Sequence, residues 1–598
     1  MVKKILRTKS LDNFRSDLRI KRRRMLRAGD DANALADKHF FNRLSQVSGI
    51  RRFLASWLAL MLLLIFGVGW QVMSLGRYYL QLQPAQGGTF REGVLGSYTN
   101  ANPIYATSVA DSSISALIFS GLLSYNTENA LTPSLAESWS VDDSGKTYTL
   151  KIRNNLKWHD GQQFTVEDVL YTFETIQDAD ARSPLFRNWQ GVSVTSTDPS
   201  TVVFTLSSAL SGFEHSLTTG IIPKHLLSKI EPAQLRSANF NTIKPVGTGP
   251  FKMSSVDVSG SSVDNRQEII SLSRYDNFHL GTPEIENYVL RVFRNGSQLL
   301  QAFNNRELNA AIGLSSTDID VNQESLVVYN IPQLSAVMLF MNNSSPFLND
   351  VKVRQALVQS TNVPEILKSI GYPLIQVDQP FLRGQVGYDK SYAQYGYDLE
   401  AANKLLDESG WIKNSSGIRE KDGKQLKFRL FSQSLAEYAL VVQKLQDQWR
   451  SIGVEIDAIL QPEEDLQTGA IARHDYDALL YGISIGPDSD VYPYWHSSQA
   501  DPRSPTRLNL SEFKNTAADN ALEAGRSRTD DALRALKFKP FSENWKSQAP
   551  AIGLYQPRFL YVVRGQLSGF APNRLNSVSD RFRNVHEWTI RQQFSPTF

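Results

Sequence analysis

Ser144-Gly145-Lys146-Thr147 has the lettering of the end of a phosphate-binding loop, in which backbone N–H groups and a lysine cradle a nucleotide. That cradle also needs glycine at position 140, where this chain has Ser140, so the segment reads as a hairpin turn. Trp158-His159-Asp160-Gly161 sets an imidazole beside a carboxylate, the pairing used in general-base catalysis. Adjacent residues on a strand point to opposite faces, so this segment also reads as a structural turn. The histidines are His39, His159, His215, His225, His279, His474, His496 and His586. None are spaced as ligand pairs on a helix, and no H-E-x-x-H occurs. The G-x-S-x-G nucleophile elbow is absent as well. The chain has no cysteine, which excludes thiol catalysis, disulfides, cysteine metal sites and a lipid-modified cysteine anchor. The expectation is a protein with no catalytic constellation, no metal and no cofactor.

The densest local information lies between Ile118 and Glu174. Ser120-Gly121-Leu122-Leu123 ends an apolar helix spanning Ser108–Leu122. Trp139–Val141 and Thr147–Ile152 read as strands around the polar turn Asp142–Gly145, and the second alternates with period two. Asp160-Gly161 is a further turn signal. Thr165 caps a helix, with Asp168 three residues on and an apolar stripe through Val169, Leu170 and Phe173. Elsewhere Thr89–Gly93 reads as a strand, Val337–Asn343 as a strand continued by Pro346–Ala356, and Val441–Trp449 as a helix before the strand Val454–Ile456. Ala551–Tyr555 and Phe559–Val563 are apolar strands. Mixed helices and strands over about 500 residues exceed what one core accommodates.

The composition is that of a globular protein, 41% hydrophobic and 10% aromatic. The net charge of +3 hides an asymmetry. Residues 1–52 hold fifteen Lys/Arg against five Asp/Glu, a net of about +10, so the remainder is about −7. A mildly acidic body argues against a nucleic-acid surface. Phe53–Leu75 carries no charge, and about 20 apolar residues suffice to span a bilayer. Trp57 and Trp70 sit near its ends; Arg51 and Arg52 abut one side and only Arg77 the other. The positive-inside rule predicts residues 1–52 in the cytoplasm and the main body outside, with an uncleaved anchor. Lys21-Arg22-Arg23-Arg24 reads as a solvated basic tail, or as a site for anionic lipid or a cytoplasmic partner.

The order of these segments resembles family 5 of the solute-binding proteins of ABC transporters, which bind dipeptides, oligopeptides or nickel. The resemblance is carried by Gly121-Leu122-Leu123, Pro133–Trp139, Lys157-Trp158-His159-Asp160-Gly161 and Thr165–Glu174. It continues through Asn102-Pro103, Ile221–Leu226, Pro245-Val246-Gly247-Thr248-Gly249-Pro250-Phe251, Ser271–Phe278 and Pro283–Glu286, then Asp398–Trp411 and Asp580–Trp588. It covers roughly residues 90–590. The resemblance implies an α/β, two-lobed periplasmic-binding-protein-like fold of type II with an extra subdomain, here preceded by one transmembrane helix. The implied domains are a tail 1–52, an anchor 53–75, a linker 76–88, a first lobe 89–330 with an insertion at about 106–244 and completed by 550–598, and a second lobe 331–549. The glycines of Pro245–Phe251 are expected to supply positive φ where the chain returns to the first lobe.

The same resemblance implies a ligand held in the interlobe cleft and delivered to permease and ATPase subunits, without chemistry on it. The implied ligand wall is Thr107, Ser108 and Val109 in the first lobe, Leu185 and Phe186 in the insertion, and Tyr481, Gly482, Ile483 and Ser484 in the second lobe. Peptide-binding relatives often use an aspartate to pair with the ligand's α-amine; Ser484 falls at that place, and Asp488 and Asp490 follow. Oligopeptides are the expected ligand and the membrane the expected location. A nickel chelate, a sugar, or a sensor signalling through the anchor are the alternatives.

Overall fold

The computed structural model describes residues 51–260, 266–314, 326–504 and 506–596. The basic tail and its Lys21–Arg24 run lie outside the described residues. The chain divides into two compact units, residues 1–83 with 592–598, and residues 84–591.

The smaller unit is dominated by the helix Arg51–Tyr79. Its stretch Phe53–Ser74 has a mean hydropathy of 2.2 and is long and apolar enough to cross a membrane. At about 1.5 Å per residue it reaches roughly 33 Å, close to the ~30 Å hydrocarbon core of a bilayer. Part of the expected linker is a strand: Leu80–Ala85 pairs with Arg591–Pro596.

The larger unit is built on three main sheets. The first has seven strands in the order Leu326–Pro332, Arg558–Arg564, Ala310–Ile312, Thr89–Leu95, Asn287–Phe293, Gln267–Arg274 and Phe251–Ser259. The second has six: Ile375–Gln376, Ala551–Gln556, Ser335–Met341, Ala478–Ser484, Lys427–Gln433 and Glu455–Gln461. Both are covered on both faces, and the sequence of Ser335–Met341 shows why. Val337, Leu339 and Met341 enter one core, while Ala336, Met338 and Phe340 enter the core on the opposite face. A strand buried on both sides reads as a continuous apolar run rather than as an alternation.

The third sheet is the insertion, antiparallel in the order Ala136–Val141, Thr147–Ile152, Thr201–Thr205 and Ser193–Asp198. It shares its own core with the helix Val166–Gln177, through Tyr148, Leu150, Phe173, Trp189, Val202 and Phe204. Asp168 is buried at the start of that helix. Its carboxylate accepts from the N–H groups of Thr165 and Lys224, both at 2.9 Å.

The chain crosses between the first and second sheets twice, side by side. Leu326–Pro332 passes through Gln333 and Leu334 into Ser335–Met341, and Ala551–Gln556 returns through Pro557 into Arg558–Arg564. The Gln333 N–H donates to the Pro557 carbonyl at 3.0 Å, tying the crossings together. Several expectations are corrected. The return falls at Pro557 rather than near residue 550, because Ala551–Gln556 pairs with Ser335–Met341 in the second sheet. Pro346–Ala356 does not continue a strand: Asp350 caps a helix over Val351–Gln359, its side chain accepting from the Lys352 N–H. Gly247 and Gly249 do not adopt positive φ. They are needed for close approach: a Cβ on Gly247 would overlap the Ile118 carbonyl, 2.7 Å from its carbon.

Candidate functional site between the lobes

The crossings leave a cavity of about 1000 Å³ between the first lobe with its insertion and the second lobe. Turns supply most of its wall. From the first lobe come Glu128 and Asn129, from the turn after Leu123–Tyr125, and Asp142 and Asp143, from the hairpin turn. Tyr148, Ser211, Glu214 and His215 add to that side. The second lobe gives Gly384–Val386, Pro487–Ser489, Thr529, Asp531 and Arg534; Leu334 of the crossing and Asn573 and Arg574 close the remainder.

The lobes touch beside this cavity. The Ser211 hydroxyl donates to the Asp488 carboxylate at 3.1 Å, and the Ser211 N–H to the Arg526 carbonyl at 3.0 Å. Arg534, nearly buried, forms an ion pair with Asp488. Arg526 pairs with Asp490 at 2.8 Å and stacks 4.1 Å above the Tyr492 ring. Gly212 allows this approach, since a Cβ there would stand 3.0 Å from the Asp488 Cβ and closer to its carboxylate.

Titration behaviour follows from these surroundings. Burial lowers the pKa of His215, against the opposing pull of Asp488 and Glu214, and its Nδ1 shares a 2.9 Å hydrogen bond with the Tyr125 hydroxyl. Burial pushes Tyr148 up to about 12. The Thr147 N–H, followed by the Ser144 hydroxyl, holds Asp142 down at about 2. Burial raises Asp490, opposed by Arg526.

Of the residues expected in the ligand wall, Asp488 lines this cavity, while Thr107, Ser108, Val109, Leu185, Phe186, Tyr481, Gly482, Ile483 and Ser484 do not. Ser108 caps the helix Val109–Ile118, accepting from the Asp111 N–H at 3.0 Å. Leu185 packs against the core of the insertion, and Phe186 opens the short helical turn Phe186–Trp189. Ile483 is buried in a second-lobe core, with Tyr481 packed against it. Gly482 faces the Tyr438 hydroxyl. Ser484 is exposed, and its carbonyl accepts from the Tyr494 hydroxyl at 2.6 Å. His159 and Asp160 are not a pair: Asp160 meets His225 at 2.8 Å, and His159 faces Gly247 and Gly249. Sequence reading misses Glu128, Asn129, Glu214, Asp531, Arg534 and Arg574 as lining residues. No period or motif marks them, because they are polar turn and helix-end positions brought together only by the fold.

Residues 130–503 match the sequence profile of the bacterial extracellular solute-binding proteins, family 5 middle region. The chain belongs to family 5 of the bacterial extracellular solute-binding proteins. Members of this family are transport binding proteins rather than enzymes, and they work with ABC permease and ATPase components. The oligopeptide-binding protein AppA of Bacillus subtilis is 26% identical over 523 residues, covering 85% of this chain and 92% of its own length. The dipeptide-binding protein of Escherichia coli is 24% identical over 493 residues, 76% of this chain and 85% of its own. Among solved structures, AppA from B. subtilis in complex with a nonapeptide has a TM-score of 0.70 at 25% identity, covering 85% of this chain and all of its own. NikZ from Campylobacter jejuni in complex with Ni(L-His) has a TM-score of 0.71 at 26% identity, covering 84% of this chain and 99% of its own. These neighbours are two-lobed, and so is this family 5 chain.

Proposed function

We propose that this chain is the membrane-anchored, extracytoplasmic binding subunit of an ABC importer and that its ligands are oligopeptides held between the lobes. The carrying observation is the interlobe cavity of about 1000 Å³ beside the paired crossings. It lies at the upper end of the ~300–1,000 Å³ range of small-molecule sites, which suits a peptide better than a single amino acid. The relatives named for oligopeptides and dipeptides support the same class. A ligand touching both lobes favours the closed arrangement by its differential affinity, and the two crossings are the hinge. The closed form is the one offered to the permease.

The apolar stretch Phe53–Ser74 is the anchor in this reading. The charge excess of residues 1–52 supports that end inside and the body outside. Protease added to intact cells or spheroplasts then removes the body and spares the tail; a protected body contradicts the topology. For the ligand, calorimetry of the detergent-solubilised chain against peptide pools yields one site per chain. Binding of sugars or metal chelates with no binding of peptides contradicts the peptide assignment.

A further inference from the structure

We propose that the interlobe cavity selects cationic peptides, holding their lysine or arginine side chains against the first-lobe wall. The inference rests on the peptide reading above and names the peptide class. The two walls of the cavity differ in charge. The first-lobe wall presents Glu128, Asp142, Asp143 and Glu214 against one cation, Arg574 of the segment that returns to this lobe. Its single histidine, His215, is held toward the neutral form by burial. Asp142 stays ionised through its own turn, at a pKa of about 2. On the opposite side Arg534 pairs with Asp488 and, at 3.5 Å, with Asp531, so carboxylates outnumber cations there too.

Ser489 lines the cavity at 2% exposure, and its hydroxyl has no hydrogen-bond partner among the described residues. The Nε of the nearly buried Arg534 is likewise unpartnered there. Buried polar groups are normally satisfied, so these two donors are suited to the carbonyls of a bound peptide backbone. With the backbone held by the second lobe, its side chains meet the carboxylates of the first. A cleft with one sign of charge on low-dielectric walls concentrates its field, attracting cations and repelling anions.

The test is calorimetry of the full chain in detergent with three pentapeptides of one design, Ala-Lys-Ala-Lys-Ala and its Gln and Glu counterparts. The lysine peptide is expected to bind about tenfold more tightly than the glutamine peptide, which is about 1.4 kcal/mol, and the glutamate peptide most weakly. The lysine-to-glutamine ratio narrows as salt is raised. It also narrows in the double variant Glu128→Gln, Asp143→Asn, whose two positions are exposed turn residues. Equal affinities, or a preference for the glutamate peptide, overturn cation selection and leave peptide binding intact. An unchanged ratio in the double variant overturns the placement on the first-lobe wall. Failure of all three peptides to bind overturns both readings.

Discussion

At the scale of single residues, His159 shows how a motif with catalytic lettering has a structural use. Its Nε2 donates to the Gly249 carbonyl at 2.9 Å, and its Nδ1 accepts from the Gly247 N–H at 3.3 Å. An imidazole that both donates and accepts is neutral, and burial lowers its pKa to about 4. Burial also depresses His215, His279 and His586. The unfolded chain therefore binds these protons more readily than the folded one. Stability is full above about pH 6.5 and falls as the pH drops from there toward 4. Each tenfold weakening of a histidine's proton affinity by the fold is worth about 1.4 kcal/mol of that loss. Urea unfolding at pH 7.5 and 5.5 checks this, and equal midpoints contradict it. His159→Ala leaves the Gly247 N–H and Gly249 carbonyl unpaired and is expected to cost about 1–3 kcal/mol. The aspartates near Ser484 carry a second prediction. Asp488 is committed to Arg534 and Ser211, and Asp490 to Arg526, so neither offers a free carboxylate to an α-amine. N-acetylating a neutral peptide should then weaken binding by less than about tenfold, the lower limit for a dedicated charge-assisted hydrogen bond. A larger loss in calorimetry contradicts that commitment.

Elements show which parts of the fold can be read from a sequence. Thr147–Ile152 is legible because one face alone is buried, giving a period of two. The helix Val166–Gln177 is legible from Thr165, Asp168 and its apolar stripe. The helix Val351–Gln359 escapes notice because Val351 and Val353 alternate with Lys352 and Arg354 as in a strand; Asp350, its N-cap, is the signal that marks it. The crossing at Pro557 escapes it because Ala551–Gln556 and Arg558–Arg564 are both apolar strands, and nothing local says which sheet each joins. The cavity wall is least legible, since Asp142, Glu214, Asp488 and Arg574 come from segments scattered along the whole chain. Close approach of elements supplies a prediction with two parts. Gly247→Ala forces a Cβ onto the Ile118 carbonyl and should destabilise the body by the upper part of the ~0.5–3 kcal/mol range for point changes. Gly212→Ala pushes Asp488 away from Ser211 and should weaken peptide binding while shifting the unfolding midpoint less. Thermal melts and calorimetry of both variants separate the effects. A Gly247→Ala protein as stable as the parent contradicts the packing argument.

At the scale of the molecule, residues 84–591 form two lobes on a paired crossing, with a cavity whose walls come from both. Such a design makes ligand occupancy and lobe closure one equilibrium. Ligand at a hundredfold excess over Kd stabilises the folded body by about 2.7 kcal/mol, readable as a shift in denaturation midpoint. In the proposed function, differential affinity for the closed state is what the ligand supplies. The most direct measurement is native mass spectrometry of the full chain purified from its own cells, with bound small molecules released and sequenced. One peptide per chain is expected, drawn from a mixture rich in lysine and arginine. A chain that carries only non-peptide solutes, and takes up no peptide when a pool is added, contradicts it.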